Sequence, residues 1–126
     1  MNFNVDEEKI LSLLGMAAKS NSIVYGKVGI RNYISSPRIK QKLIIVAIDT
    51  GKRVKLDTFN KCKKFKVPFI EINKTKSEIS KALGCESVSV IGITNEDIIK
   101  GILELVPEKE VINRCQGLGY TKLQKN

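Results

Sequence analysis

Leu43-Ile44-Ile45-Val46-Ala47 is an uninterrupted apolar run of strand length, set between the basic segment Arg38-Ile39-Lys40-Gln41-Lys42 and the turn-forming Asp49-Thr50-Gly51. Side chains alternate between the two faces of a strand, so a run with no polar residue needs apolar cover on both. Such strands lie inside layered α/β folds, where helices pack on either side of a sheet.

The flanking sequence supplies those helices. Ile10, Leu11, Leu13, Leu14, Ala17 and Ala18 recur at three- and four-residue spacing and predict a helix from about Val5 to Ala18, with Asn4 and Glu7 as a cap and Lys19-Ser20-Asn21 as its exit. Ile23-Val24-Tyr25 reads as a short strand, and Gly26 opens a second helix that carries Ile30, Tyr33 and Ile34 and ends at Ser35-Ser36-Pro37. A third helix runs from Lys52 to Lys66, with Leu56, Phe59, Cys62 and Phe65 expected toward the core, and Pro68 separates it from the strand Phe69-Ile70-Glu71-Ile72. Thr75 and Glu78 form a capping-box pattern for a helix closed by Gly84. Val88 to Ile93 reads as the last strand, and the acids of Thr94-Asn95-Glu96-Asp97 open a final helix that Pro107 stops.

Helices and strands therefore alternate, which predicts a three-layer α/β/α sandwich with a mixed central sheet of about four strands and about five helices. The 126-residue chain is expected to form one domain over residues 1–107, with a basic tail at 108–126 that lacks periodicity. It shows no internal repeat.

Charge and composition narrow the function. Twenty-two Lys and Arg against thirteen Asp and Glu leave a net charge of +9, which favours a polyanionic partner such as nucleic acid, although a solvated basic surface has the same composition. The chain has no histidine, which removes Ser-His and Cys-His nucleophilic pairs, H-E-x-x-H metal sites and imidazole bases. Cys62, Cys85 and Cys115 are odd in number and widely spaced; reduced thiols are expected, with Cys62 and Cys85 buried. No catalytic residue, metal site, cofactor or small-molecule substrate is expected. The acidic N-terminus does not resemble a secretory signal and no apolar run reaches membrane-spanning length, so a cytoplasmic, monomeric protein without membrane attachment is expected.

Three places can meet a nucleic acid. Gly26 and Lys27 sit at a helix N-terminus, where unpaired N–H groups and the helix dipole attract phosphate; the alternative is a plain glycine turn with a solvated lysine. Gly26-Lys27-Val28-Gly29 lacks the spacing of a dinucleotide fingerprint, and no Walker-type loop occurs. Asp49, at the carboxyl end of the apolar strand, either caps the following helix or accepts a hydrogen bond from a ribose or base edge. The helix from Lys52 to Lys66 carries seven basic residues against the single acid Asp57, either as a solvated face or as a contact for RNA or DNA.

Leu14-Gly15-Met16-Ala17-Ala18-Lys19, Gly26 opening helix two, Leu-Ile-Ile-Val-Ala-Ile-Asp at residues 43–49, Asn60-Lys61-Cys62 with Val67-Pro68, and Lys81-Ala82-Leu83-Gly84 together resemble the archaeal kink-turn-binding ribosomal protein family, in particular its short bacterial YlxQ-like members. The resemblance spans residues 8–106 and implies a non-catalytic protein that binds structured RNA, ribosomal RNA included. It implies contacts at the N-terminus of helix two (Gly26, Lys27, Val28, Arg31, Asn32), after the apolar strand (Ile48, Asp49, Thr50, Lys52) and in the loop after the fourth helix (Glu86, Ser87, Val88). The family's Gly-x-Asn-Glu-x-x-Lys has Val28, Gly29 and Asn32 here in place of Asn, Glu and Lys, while Lys27 and Arg31 keep positive charge close by. Base contacts specify and phosphate contacts position, so the change bears on sequence selectivity more than on RNA binding. Two other readings fit the same charge: a substrate-holding subunit of an RNA-modification enzyme, and a protein-interaction module with a basic docking surface.

Overall fold

The computed structural model describes residues 6–85, 87–107 and 111–112. Five helices alternate with four strands: α1 (Glu7–Lys19), β1 (Ile23–Tyr25), α2 (Lys27–Ser35), β2 (Ile44–Ala47), α3 (Lys52–Phe65), β3 (Phe69–Ile72), α4 (Lys76–Leu83), β4 (Val90–Ile93) and α5 (Glu96–Glu104). The strands form one mixed sheet in the order β1-β4-β2-β3. β4 is antiparallel to both β1 and β2, and β2 is parallel to β3. β1 and β2 therefore run the same way, and α2 and α3, which follow them, begin at the same end of the sheet.

The apolar run behaves as its composition demands. Leu43, Ile45 and Ala47 enter one core with Ile70, Ile72, Ile91 and Ile93 and with residues of α1, α4 and α5. Ile44 and Val46 enter a second core with Ile30, Tyr33 and Ile34 of α2, Cys62 of α3, and Phe69 and Val90. Each face of β2 thus packs against a helical layer, and each Leu, Ile or Val side chain so buried contributes about 1.5–3 kcal/mol.

Tyr33 locks the second layer to the sheet. Its ring lies on Gly92, where an added Cβ would come within 2.6 Å of the ring carbon Cε2. Its hydroxyl accepts from the Leu43 N–H at 2.7 Å and donates to the Ile93 carbonyl, tying the start of β2 to the end of β4. Burial drives the phenol well above its ordinary pKa, so it stays a neutral donor.

Four local expectations are corrected. Asp6, not Asn4, caps α1, its carboxylate accepting from the Lys9 N–H at 3.2 Å; Asn4 lies outside the described residues. On α3, Leu56 and Phe65 are 57% and 44% exposed, and the buried positions are Thr58 and Cys62. A strict three-residue spacing turns backward by about 60° per step around a helix of 3.6 residues per turn, so four such positions cannot share a face. Phe59 is half-buried, edge-on to Phe69 at 5.7 Å. Cys85 is half-buried rather than buried. Val88 and Ser89 precede β4 instead of belonging to it, and the Val88 N–H is held by the Ser80 hydroxyl at 2.7 Å.

Beyond α5, Val111 is buried and Ile112 exchanges two 3.0 Å hydrogen bonds with Phe69. The rest of the tail, including Cys115, lies outside the described residues.

Candidate nucleic-acid interface

α2 and α3 both open on glycine. Gly26 has φ 89°, a conformation that side chains rarely adopt, and no side chain caps the helix it opens. Gly51 opens α3, also without a side-chain cap, and neither helix has an acid in its first turn. Both N-termini keep their positive dipole end unneutralised. Lys27, Lys52 and Arg53 add cations in those same first turns, where helix stability alone favours Asp or Glu.

Between the two helices runs a groove of about 590 Å³ whose walls come from Lys27, Ile30 and Arg31 of α2 and from Arg53, Val54, Asp57, Thr58 and Lys61 of α3. Tyr25, Gly26 and the segment Ser87–Val90 complete its lining. Four cations face a single acid there, and none of the four enters an ion pair among the described residues. Its apolar lining comes from Ile30, Ile34, Val54, Val88 and Val90.

The structure brings together only part of the residue set expected from sequence. Gly26, Lys27, Arg31, Ser87 and Val88 line the groove. Val28 and Asn32 are exposed but do not line it, and neither do Ile48, Asp49, Thr50 or Lys52. Asp49 caps a helix, though α4 rather than α3: its carboxylate accepts from the Lys76 N–H at 2.8 Å. Thr50 is 6% exposed, and its hydroxyl donates to the Ser89 carbonyl at 3.4 Å. The Ala47 N–H donates to the same carbonyl at 2.9 Å, so the loop after β2 supports the loop before β4. Ser87 is held at φ 32°, a strained value for a residue other than glycine. Glu86 lies outside the described residues.

Sequence reading missed Tyr25, Arg53, Val54, Thr58 and Lys61 as a group. The signal was present: Arg53, Asp57 and Lys61 form an i, i+4, i+8 row, one stripe of a helix. Other basic residues of α3 are used elsewhere. Lys55 pairs with Glu71 at 2.7 Å, and Lys64 sits 5.6 Å over the Phe65 ring. In the basic loop before β2, Lys42 donates to the Ile34 and Ser36 carbonyls at the end of α2, and burial lowers its pKa.

Tyr25 is 49% exposed, and its phenol is held above its ordinary value first by a hydrogen bond with Cys85. Burial pushes the Cys62 thiol up to about 12, which leaves it unreactive at neutral pH. Among the described residues, no group of three or more His, Cys, Asp and Glu is placed to hold a metal ion, and no helix is long and apolar enough to cross a membrane.

No known family profile matches the chain, and no curated protein matches its sequence. Solved structures do share its fold. A Bacillus halodurans protein of unknown function superposes with a TM-score of 0.69 at 24% identity, over 77% of this chain and 95% of that one. The Giardia lamblia 15.5kD RNA binding protein superposes with a TM-score of 0.61 at 20% identity, over 84% of this chain and 96% of that one. What is shared at this identity is the α/β architecture, and a protein that binds RNA is among those built on it.

Proposed function

We propose that this chain is a non-catalytic, cytoplasmic RNA-binding protein, a YlxQ-like relative of the kink-turn-binding ribosomal proteins, that holds structured RNA of the kink-turn kind, ribosomal RNA included. The observation that carries the reading is the groove, where the first turns of two helices without side-chain caps contribute Lys27 and Arg53, and where four unpaired cations lie beside an apolar lining. Backbone N–H groups and cations position phosphates, and an apolar lining receives what a folded RNA turns outward. The family resemblance and the RNA-binding Giardia neighbour support the same reading.

With Val28 and Gly29 at the first turn of α2, no side-chain amide or carboxylate reads a base edge there. Selectivity then comes from RNA shape. A salt titration of binding to a kink-turn RNA, beside a straight duplex of equal length, tests this. The expected result is a preference for the kinked RNA that persists at physiological salt. Affinity for folded RNA weaker than tens of micromolar, about 10⁻⁵ M, at low salt, within the non-specific range, would end the reading.

A further inference from the structure

A second groove, of about 350 Å³, is lined by Lys40 and Lys42 ahead of β2 and by Phe65, Lys66 and Pro68 between α3 and β3. It lies where β2 and β3 begin, at the end of the sheet opposite to the N-termini of α2 and α3. Its lining is mostly polar and includes three lysines but, among the described residues, no acid, so it suits an anion. Helix stability explains Lys63 and Lys64, which sit in the last turn of α3 where the dipole favours cations, but neither of them lines the groove. Lys66 caps α3 at φ 57° and ψ 45°, the left-handed conformation that favours glycine. A lysine there forgoes stability, which points to a use for its charge. Lys42 is held in place: its Nζ donates to the Ile34 carbonyl at 3.2 Å and to the Ser36 carbonyl at 2.7 Å. An ammonium has three N–H groups, so one remains for an occupant of the groove. Lys40 is exposed and enters no ion pair among the described residues. The two grooves adjoin along α3, since Lys61 lines the first and Phe65 the second, four residues or about 6 Å of helix axis apart. A phosphate backbone that follows α3 out of the first groove meets this lysine cluster next.

We propose that the groove of Lys40, Lys42 and Lys66 is a second contact for the sugar–phosphate backbone: it takes a stem of the bound RNA where that stem leaves the α2/α3 groove. This rests on the RNA-binding reading above and extends it to the far end of α3. The contact adds affinity and orients the stem without reading sequence, because lysine meets phosphate as a point charge.

The test uses the full chain and two kink-turn RNAs, one with a stem long enough to follow the roughly 21 Å of the 14-residue α3 and the other with that stem cut back. On the long-stem RNA the pair Lys40→Gln and Lys66→Gly should lower the salt slope of binding by about 2 and cost about fivefold or more in affinity at low salt, with less than about twofold loss on the short one. Lys42 is left in place because it also holds the end of α2. The melting temperature should hold or rise, since glycine suits the backbone at position 66. Equal losses on both RNAs, or no loss on either, would overturn the second contact while leaving RNA binding in place. Binding of neither RNA by the wild-type chain would overturn the parent reading instead. A polyglutamate peptide that loses affinity on these substitutions, where the long-stem RNA does not, would reassign the groove to an acidic protein. Should the pair fail to fold, Lys40→Gln alone should lower the slope by about 1 on the long-stem RNA only.

Discussion

The two helical layers are built to different rules. On one face of the sheet every helix starts with a side-chain cap and an acidic first turn: Asp6 before Glu7 and Glu8 in α1, Thr75 with Glu78 in α4, and Asn95 before Glu96 and Asp97 in α5. On the other face both helices start at glycine, without a side-chain cap, and carry cations where acids belong. Caps and acids at those positions are each worth about 0.3–2 kcal/mol, so the α2/α3 layer forgoes stability that the opposite layer takes. The first layer is closed over an aliphatic core, whereas the second opens into the groove. What distinguishes the layers is therefore the chemistry at their helix N-termini, capped and acidic on one face, uncapped and cationic on the other.

The most damaging test of this division lies on the closed side. Ile99→Ala, at a position with no exposure, should cost about 2–5 kcal/mol in denaturant unfolding and leave the RNA affinity of the folded protein unchanged. A parallel loss of affinity in fully folded protein would erase the distinction between the layers. On the open side, the pair Arg53→Glu and Lys61→Glu should weaken RNA binding roughly tenfold or more at low salt and flatten its salt dependence. Stability should change by less than about 1 kcal/mol, because the acid at position 53 suits the first turn of α3 but both new acids lie four residues from Asp57.

A smaller effect should mark the capped helices. The Thr75 hydroxyl accepts from the Glu78 N–H at 3.1 Å, while the Glu78 carboxylate accepts from the Thr75 N–H at 2.9 Å. Thr75→Ala should therefore cost about 1 kcal/mol in denaturant unfolding. The same backbone hydrogen bond, with Lys74 nearby, lowers the Glu78 pKa. The charged form is favoured in the folded state, so its contribution is complete above the unfolded value and disappears as pH falls through the lowered one. Glu78→Gln should flatten stability against pH in that acid window, and an unchanged profile would remove Glu78 from the capping account.

The smallest effect has opposite signs for stability and binding. Gly51 has φ −57° and ψ 146° with open space around its Cα, so a side chain is tolerated. Gly51→Asp should stabilise the fold by about 0.5 kcal/mol through a new cap and a favourable charge, and should weaken RNA binding. Stabilisation without loss of affinity would separate the α3 N-terminus from the interface.

Much of the fold was legible because β2 is apolar throughout and the helices carry clear periods; five helices, four strands and both layers followed from that. What escaped depends on contacts between residues far apart in sequence. Nothing near Gly92 announces that a ring from Tyr33 must lie on it, and nothing near Asp49 points to the Lys76 N–H. Among the residues that line the groove, Gly26, Lys27 and Arg31 were legible from local chemistry, and Ser87 and Val88 from the family likeness. Arg53 and Lys61 were legible only as part of a basic helix, and their place beside Tyr25 in the groove emerges only once α3 packs beside α2. Thr50, read as a contact, is buried, and its hydroxyl donates to the Ser89 carbonyl in a loop that lines the groove.

The most direct measurement is a titration of the isotope-labelled protein with kink-turn RNA, followed by amide NMR. The account predicts shifts concentrated at Gly26, Lys27, Gly51, Arg53 and Ser87, with α1, α4 and α5 nearly silent. Shifts centred on the capped helices, with Gly26 and Gly51 unmoved, would contradict it.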